Sequence, residues 1–508
     1  MAFGKVWLVG AGPGDPELIT VRGQKLLSQA EVVLHDALSH PALLEHCRAA
    51  EILDVGKRFG RQSPDQTFIN RLLIEHARRG KRVVRLKGGD PLMFARGSEE
   101  ALALAEAGVP FEIVPGISSP VAASAYAGIS LTHRALSSSV TFITGSDRAG
   151  KQWSPEAWKK LATATDTVCV LMGMRRIVEI TQALLDGGRE ASTPAAVIQW
   201  GARPEQRVVT GTLQDIAAKS RAAGLSNPAI IVVGPVAGLR QELRWYDALP
   251  LFGKRVLVPR PPHQAGGTAV QIRERAAEPV LFPVIDIHPP PDRAPLDAAI
   301  ARLGDYDWVL FTSANGVERF FEALASAGRD ARALAQASIA VIGPKTAEAL
   351  RARGLTADLM AEEFVGESLA ERVIAAGARR VLLARALVAR DALPEMLRQA
   401  GVDVDVVAVY ETRAASAERA AELVQLLEDG GVDVALFTSS STVTHLLDLL
   451  GERGAGRLSN VTVASIGPVT SRTLRAAGVR VDVEAEQYTV AGVLDALERH
   501  FSASASAR

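Results

Sequence analysis

Four apolar stretches between Phe3 and Pro91 each end abruptly in a polar loop. Phe3–Val9 runs into Gly10-Ala11-Gly12-Pro13-Gly14-Asp15-Pro16, Val32–Leu34 into His35-Asp36, Ile52–Val55 into Gly56-Lys57-Arg58, and Val83–Leu86 into Lys87-Gly88-Gly89-Asp90-Pro91. Short apolar runs separated by amphipathic helical segments predict an open α/β sheet with parallel strands. In such a sheet the carboxyl ends of the strands share one edge, and ligands bind there. Pro13, Asp36, Lys57 and the Gly88 to Asp90 loop are therefore expected to converge. Two successive glycines let main chain approach a ligand closely, and Pro91 stiffens the exit. A tight strand–helix turn and a solvated Asp36/Lys57 pair would explain the same residues blandly, but their repetition at successive strand ends favours a site.

The first loop is not a dinucleotide fingerprint. The third glycine of G-x-G-x-x-G would fall at Asp15, and Pro13 and Pro16 obstruct a helix start where a pyrophosphate needs free N–H groups. The following helix is instead expected to begin at a Thr20 cap. Basic and acidic side chains balance at 57 each, so no overall field favours nucleic acid or an anionic membrane. Any anionic ligand must be met by local clusters. Cys47 and Cys169 are the only thiols, too few for a disulfide framework or a cysteine zinc site, and they fit a reducing, cytoplasmic setting. Apolar runs stop well short of a membrane span or a signal segment.

At 508 residues the chain exceeds one core. A joint is expected at residues 247–253, separating 1–246 from 254–500, with 501–508 a disordered tail. The second half contains an internal repeat at a spacing of about 125 residues. Arg255-Val-Leu-Val-Pro-Arg260 recurs as Arg380-Val-Leu-Leu-Ala-Arg385, Trp308–Asn315 as Val434–Ser441, and Val341-Ile-Gly-Pro344 as Ser465-Ile-Gly-Pro468. Two similar α/β lobes follow. In each, a strand ends in Thr-Ser at a helix start, Thr312-Ser313 and Thr438-Ser439, where hydroxyls and N–H groups suit carboxylates. They would equally serve as plain caps. Arg260 and Thr470 join the same candidate binding set.

The ordered segments GAGPGDPELIT, His35-Asp36, VGKRFG, VVRLKGGDPLMFARG, VPGISS and GISLTHR resemble the uroporphyrinogen-III C-methyltransferases of the tetrapyrrole methylase family, over about residues 4 to 246. The resemblance implies a two-lobed fold holding S-adenosylmethionine, with Pro13, Gly88, Gly89, Asp90, Met93, Ser118, Ser119, Met172 and Gly201 at its contact positions. It places Asp36 as proton acceptor and Lys57 as proton donor. It further implies a homodimer through this half. A substrate bearing many carboxylates makes Arg58, Arg96 and Arg134 the chosen contacts among the basic residues beside the loops, which also include Arg61, Arg85 and Lys87. Read without the family, Met172 would be a core residue closing a strand, and Trp200 plain packing.

The elements KRVLVPRP, YDWVLFTSANGV, IGPKTAEAL, VVAVYETR, FTSSSTV and IGPVTSRTL resemble uroporphyrinogen-III synthase, over about residues 253 to 498. That resemblance implies a chain that crosses between lobes, the strands up to about Pro283 joining residues after about Thr412. It also gives Tyr410 the task of assisting departure of a hydroxyl; a strand-end phenol in water is the alternative. The two resemblances together imply a bifunctional enzyme that cyclises hydroxymethylbilane to uroporphyrinogen III and methylates it twice to precorrin-2, a precursor of sirohaem or cobalamin, with no metal ligand set. A methylase acting on a later corrinoid, or one carrying a noncatalytic or regulatory C-terminal module, would share these motifs.

Overall fold

The apolar stretches become strands, and their order places the polar loops. The computed structural model describes residues 3–47, 49–56, 65–145, 154–260, 262–363 and 365–506. β1 (Val6–Gly10), β2 (Val32–His35), β3 (Glu51–Asp54), β4 (Val83–Lys87) and β5 (Phe111–Val114) form a sheet in the order β3-β2-β4-β1-β5. Every pairing in it is parallel. Val6, Leu8, Val33, Val83 and Leu86 are fully buried on its two faces, as a sheet covered on both sides requires. Helix α1 (Val21–Gln29) starts where expected, with Thr20 Oγ1 accepting from Gly23 N. α2 (Gln66–Arg78), α3 (Gly97–Glu106) and α4 (Ser119–Tyr126) complete this lobe.

The second sheet joins β6 (Val140–Thr144), β7 (Thr167–Leu171), β8 (Pro194–Gln199), β9 (Arg207–Thr212) and β10 (Ala229–Val233) in the order β6-β7-β10-β8-β9. Here β10 is antiparallel to both β7 and β8, so β6, β7 and β8 point the same way. Their carboxyl ends therefore share an edge.

The remaining strands are β11 (Arg255–Val258), β12 (Glu278–Leu281), β13 (Ile285–His288), β14 (Trp308–Phe311), β15 (Ser338–Val341), β16 (Leu359–Met360), β17 (Arg380–Ala386), β18 (Asp403–Ala414), β19 (Val434–Phe437), β20 (Thr462–Ser465) and β21 (Val483–Glu484). They make two sheets, β12-β11-β19-β20-β21 and β13-β18-β17-β14-β15-β16. The repeat maps strand for strand: β11 corresponds to β17, β19 to β14, β20 to β15. Because β11 pairs with β19 in parallel, the first lobe is assembled from both ends of this half. The expected crossover is present.

By internal contacts, Met1–Arg255 with Val270–Pro279 and Leu497–Arg508 form one compact unit, and Val256–Ala269 with Val280–Ala496 the other. Two features differ from the sequence reading. Tyr246 is 6% exposed and Leu251 fully buried within the first unit, so the joint is packed through its apolar residues rather than loose. The last helix runs Val490–Ser506, into the segment expected to be disordered, because alanine favours continuing a helix already begun. Among the described residues no helix is long and apolar enough to cross a membrane.

His40 caps the turn Pro41–His46, its Nδ1 accepting from Ala42 N at 3.2 Å. Burial first, and the nearby Arg203 guanidinium second, hold its pKa down to about 4. Its ordinary value is about 6.5, so the neutral ring supports the fold fully above that value and the support is lost as pH falls toward 4. Thermal melts should show wild type losing more stability than His40→Gln between pH 7 and pH 4.5. Equal losses would discard this assignment.

Candidate functional site

The carboxyl edge of the first sheet is drawn together by glycine contacts within the chain itself. Gly12 and Gly89 bridge, Gly89 N donating to Gly12 O at 2.7 Å and Gly12 N to Gly89 O at 3.3 Å. A Cβ on Gly116 would fall 2.3 Å from Gly89 O, and one on Gly10 would fall 2.5 Å from Gly116 Cα. The loops after β1, β4 and β5 thus touch directly. Gly89 also needs its left-handed backbone, φ +69. Close approach was read as room for a ligand; at Gly89 it is made first by neighbouring main chain.

Asp90 fixes this arrangement. One oxygen accepts from Leu92 N at 2.8 Å and Met93 N at 3.2 Å, the other from Gly116 N at 3.1 Å. Its carboxylate shapes the loop. Gly88 is less crowded, a Cβ built on it meeting only Leu38 Cβ, at 3.3 Å, and Ser118 caps α4 without spending its hydroxyl on the helix. Pro13, Met93, Ser118 and Ser119 are all half-buried around it.

From the second sheet, Met172 follows β7, and Trp200, Gly201 and Ala202 follow β8. Met172, Trp200 and Ala202 hold positive φ values of 55, 51 and 61, a conformation that costs non-glycine residues about 1–3 kcal/mol each and clusters at ligand sites. Met172 is 45% exposed, so it is no core residue. Gly201 is required by packing: its Cβ would overlap Ala123 of α4 at 2.2 Å. Arg203 Nη2 donates to Leu38 O at 2.7 Å, and its guanidinium lies 5.1 Å over Trp200. The two strand edges of this unit therefore face each other. Arg203 and the strained backbone had no sequence signal beyond their neighbourhood.

Asp36 is the chemical group at the edge. Its Oδ1 accepts from Arg85 Nη2 at 2.5 Å, and its side chain is 30% exposed. Its second oxygen has no hydrogen-bond partner among the described residues. Arg85 is 2% exposed and reaches on to Glu100 Oε1 at 3.1 Å; Lys87, also 2% exposed, meets the same oxygen at 2.9 Å. Gln66 Nε2 is a third donor to it at 3.1 Å. Glu100 is fully buried, and its Oε2 has no hydrogen-bond partner among the described residues. Two cations and two anions thus balance inside the lobe. Burial would lower the Arg85 pKa, but Asp36 and Glu100 outweigh it and raise the value; at Lys87 burial and then Arg85 prevail and lower it. Arg85 and Lys87, grouped by sequence with the basic residues near the cleft, are internal. Lys57, Arg58 and Arg61 lie outside the described residues.

Among the remaining substrate candidates, Arg134 is exposed, whereas Arg96 is bound bidentately by Glu99 at 2.7 and 2.5 Å, which occupies its fork. Neither cysteine suits nucleophilic chemistry, because burial pushes the Cys47 and Cys169 thiols up to about 11 and about 12.

In the second unit, Ser313 and Ser439 do cap helices. Gly316 N donates to Ser313 Oγ at 3.0 Å and Thr442 N to Ser439 Oγ at 3.4 Å. Ser313 Oγ also lies 3.1 Å from Tyr410 Oη. Thr312, Thr438 and Arg260 are half-buried at strand ends. Thr470 is only 4% exposed, in the first turn of its helix.

Comparison with known proteins finds a different family in each half of the chain. The family described as Tetrapyrrole (Corrin/Porphyrin) Methylases matches residues 5–217, and that described as Uroporphyrinogen-III synthase HemD matches residues 267–495. A porphyrin biosynthesis protein HemD of Ruminiclostridium josui is 38% identical over 98% of this chain and 98% of its own length. A uroporphyrinogen-III C-methyltransferase of Bacillus subtilis is 43% identical over 48% of this chain and 96% of its own. A siroheme synthase of Chromobacterium violaceum is 49% identical over 48% of this chain and 52% of its own.

Proposed function

Since the chain belongs to the porphyrin-biosynthesis family that joins a tetrapyrrole methylase to a uroporphyrinogen-III synthase, we propose that its second half cyclises hydroxymethylbilane to uroporphyrinogen III and its first half methylates that product twice to precorrin-2. The observation that carries the methylase reading is Asp36, a carboxylate anchored by a buried arginine, whose second oxygen has no hydrogen-bond partner among the described residues.

The first-half residues fit S-adenosylmethionine: Gly88 presents main chain without a side chain, Ser118 spends no hydroxyl on its helix, and Met172 is 45% exposed on left-handed backbone. Bound there, that molecule supplies an electrophilic methyl group on sulfur. Pro13, Gly88, Gly89, Met93, Ser118, Ser119, Met172 and Gly201 would surround it, with Asp90 keeping the loop in shape. When a pyrrole carbon accepts the methyl group, the resulting cation must shed a carbon-bound proton. Asp36 is proposed to take that proton on its second oxygen, and Lys57 is the proposed donor partner. Arg58, Arg96 and Arg134 are proposed for the substrate carboxylates, Arg96 by exchanging Glu99 for the ligand.

In the second half, the terminal C–O bond of hydroxymethylbilane breaks with its electron pair leaving on oxygen, which becomes water by gaining a proton. The cation left behind is delocalised onto the pyrrole nitrogen and attacks the far ring. Tyr410 is proposed to donate a hydrogen bond to the departing oxygen. Arg260, Thr312, Ser313, Thr438 and Ser439 are proposed to hold carboxylates around the folded chain.

A second copy of this chain is the proposed partner of the first half. Val121, Leu243 and Trp245, each nearly half exposed, line an apolar groove of about 410 Å³ with Ile129 and Leu131. Light scattering should report a dimer that Leu243→Glu dissociates. The two buried free thiols support a cytoplasmic setting.

The test of the main reading is one incubation with hydroxymethylbilane, with and without S-adenosylmethionine. The type III isomer alone, then a doubly methylated product when the donor is added, is the expected result. Only the type I isomer, with no methylation of supplied uroporphyrinogen III, would overturn both assignments.

A further inference from the structure

The two lobes of the second unit repeat one another, yet their equivalent helix caps are wired differently. Ser439 meets hydroxyls of its own helix, Ser441 Oγ at 3.1 Å and Thr442 Oγ1 at 3.2 Å. Ser313 meets Tyr410, which comes from two strands away across β17. Tyr410 reaches it through an irregularity in β18: Arg385 pairs with Ala408 and Ala386 with Tyr410, so Val409 is skipped. Such a bulge re-aims the next side chain. It sets the phenol, 7% exposed, at the start of the helix Ala314–Ser326.

A serine hydroxyl has one proton and two lone pairs. At Ser313 one lone pair already accepts from Gly316 N. Only one hydrogen can lie on the 3.1 Å line to Tyr410 Oη. If the phenol supplied it, the phenol would have none left to give. If Ser313 supplies it, the phenol accepts and its own proton is free. Beyond the Gly316 N–H, neither oxygen has another hydrogen-bond competitor among the described residues.

We propose that Ser313 is a positioning residue for Tyr410: capped in place by Gly316 N–H, it donates to Tyr410 Oη and so turns the phenol proton toward the departing hydroxyl of the linear tetrapyrrole. This rests on the reading of Tyr410 given above. It moves Ser313 from the carboxylate-binding set to the support of the reacting group, and leaves Ser439, which has no tyrosine, to binding alone.

A double-mutant cycle tests it, with kcat, KM, the share of type III isomer and thermal unfolding measured on the full chain. Ser313→Gly preserves helix capping better than alanine, so lost catalysis is not confused with a frayed helix. Ser313→Gly should lower kcat by about tenfold to a hundredfold, the range expected when a reacting group is slightly misplaced, with KM little changed and more type I isomer. Ser313→Thr, which keeps both cap and donor, should restore most of kcat. On a Tyr410→Phe background, Ser313→Gly should cost nothing more in kcat. A rise in KM alone, or an undiminished kcat loss in the Tyr410→Phe background, would overturn the proposal while sparing Tyr410. An unchanged kcat in Tyr410→Phe itself would overturn the reading of Tyr410 and this proposal with it.

Discussion

Arg85→Met should abolish measurable methyl transfer while leaving cyclisation of hydroxymethylbilane in place. Arg85 sits between two carboxylates, 2.5 Å from Asp36 and 3.1 Å from Glu100. Among the described residues its removal leaves a fully buried Glu100 with Lys87 and Gln66, and one of the Glu100 oxygens already has no partner there. Removing one member of a buried ion pair costs about 3–5 kcal/mol. Asp36 simultaneously loses the group that orients it. Denaturant unfolding followed alongside both activities would separate the effects, with Arg85→Lys as control: charge persists but the fork that spans two carboxylates does not. A variant of wild-type stability and normal methylation would show that the internal network has no part in the chemistry.

Gly116→Ala carries the second large effect. Its new Cβ would have to displace Gly89 O, 2.3 Å away, and Gly10 Cα, 2.7 Å away. All are main-chain atoms, so the loops after β1, β4 and β5 must separate. Overpacking of this kind costs about 1–3 kcal/mol, and more where backbone must move. The KM for S-adenosylmethionine should rise at least tenfold, because the displaced segment is the one proposed to hold it. Gly108→Ala supplies the comparison. Gly108 has φ +67 and nothing within 4 Å of a built Cβ, so it should lose about 1–2 kcal/mol from the left-handed backbone alone and keep its KM. A matching KM change in both variants would refute the loop argument.

The strand-end pattern made the first sheet legible because its inner strands β1, β2 and β4 are buried runs that give way abruptly to glycine-bearing or polar loops. The repeat made the second half legible in the same way, down to which strands correspond. What escaped was the inside of the first lobe. Arg85 and Lys87 alternate with apolar residues in a sequence that reads as a strand with one wet face, and only their distant partner Glu100, on α3, shows that both faces are dry. No local pattern announces such a partner. The backbone at Met172, Trp200 and Ala202 was equally hidden, since strain depends on what closes around a residue. The burial of Thr470 was hidden too: a threonine at a helix start reads as exposed, and its helix turns it inward.

The crossover between the lobes of the second unit also dictates an order of events during synthesis. β13 to β18 are contiguous in the chain and can complete their sheet as soon as Ala414 has been made. β11 cannot, because its parallel partner is β19, at Val434–Phe437. Until that strand emerges, Val256, Leu257 and Val258 have an unsatisfied edge, and pairings this distant form late. The growing chain therefore holds a finished inserted lobe flanked by an unfinished one. Its window for misassociation closes only when the repeat's second copy of the Phe-Thr-Ser strand end leaves the ribosome.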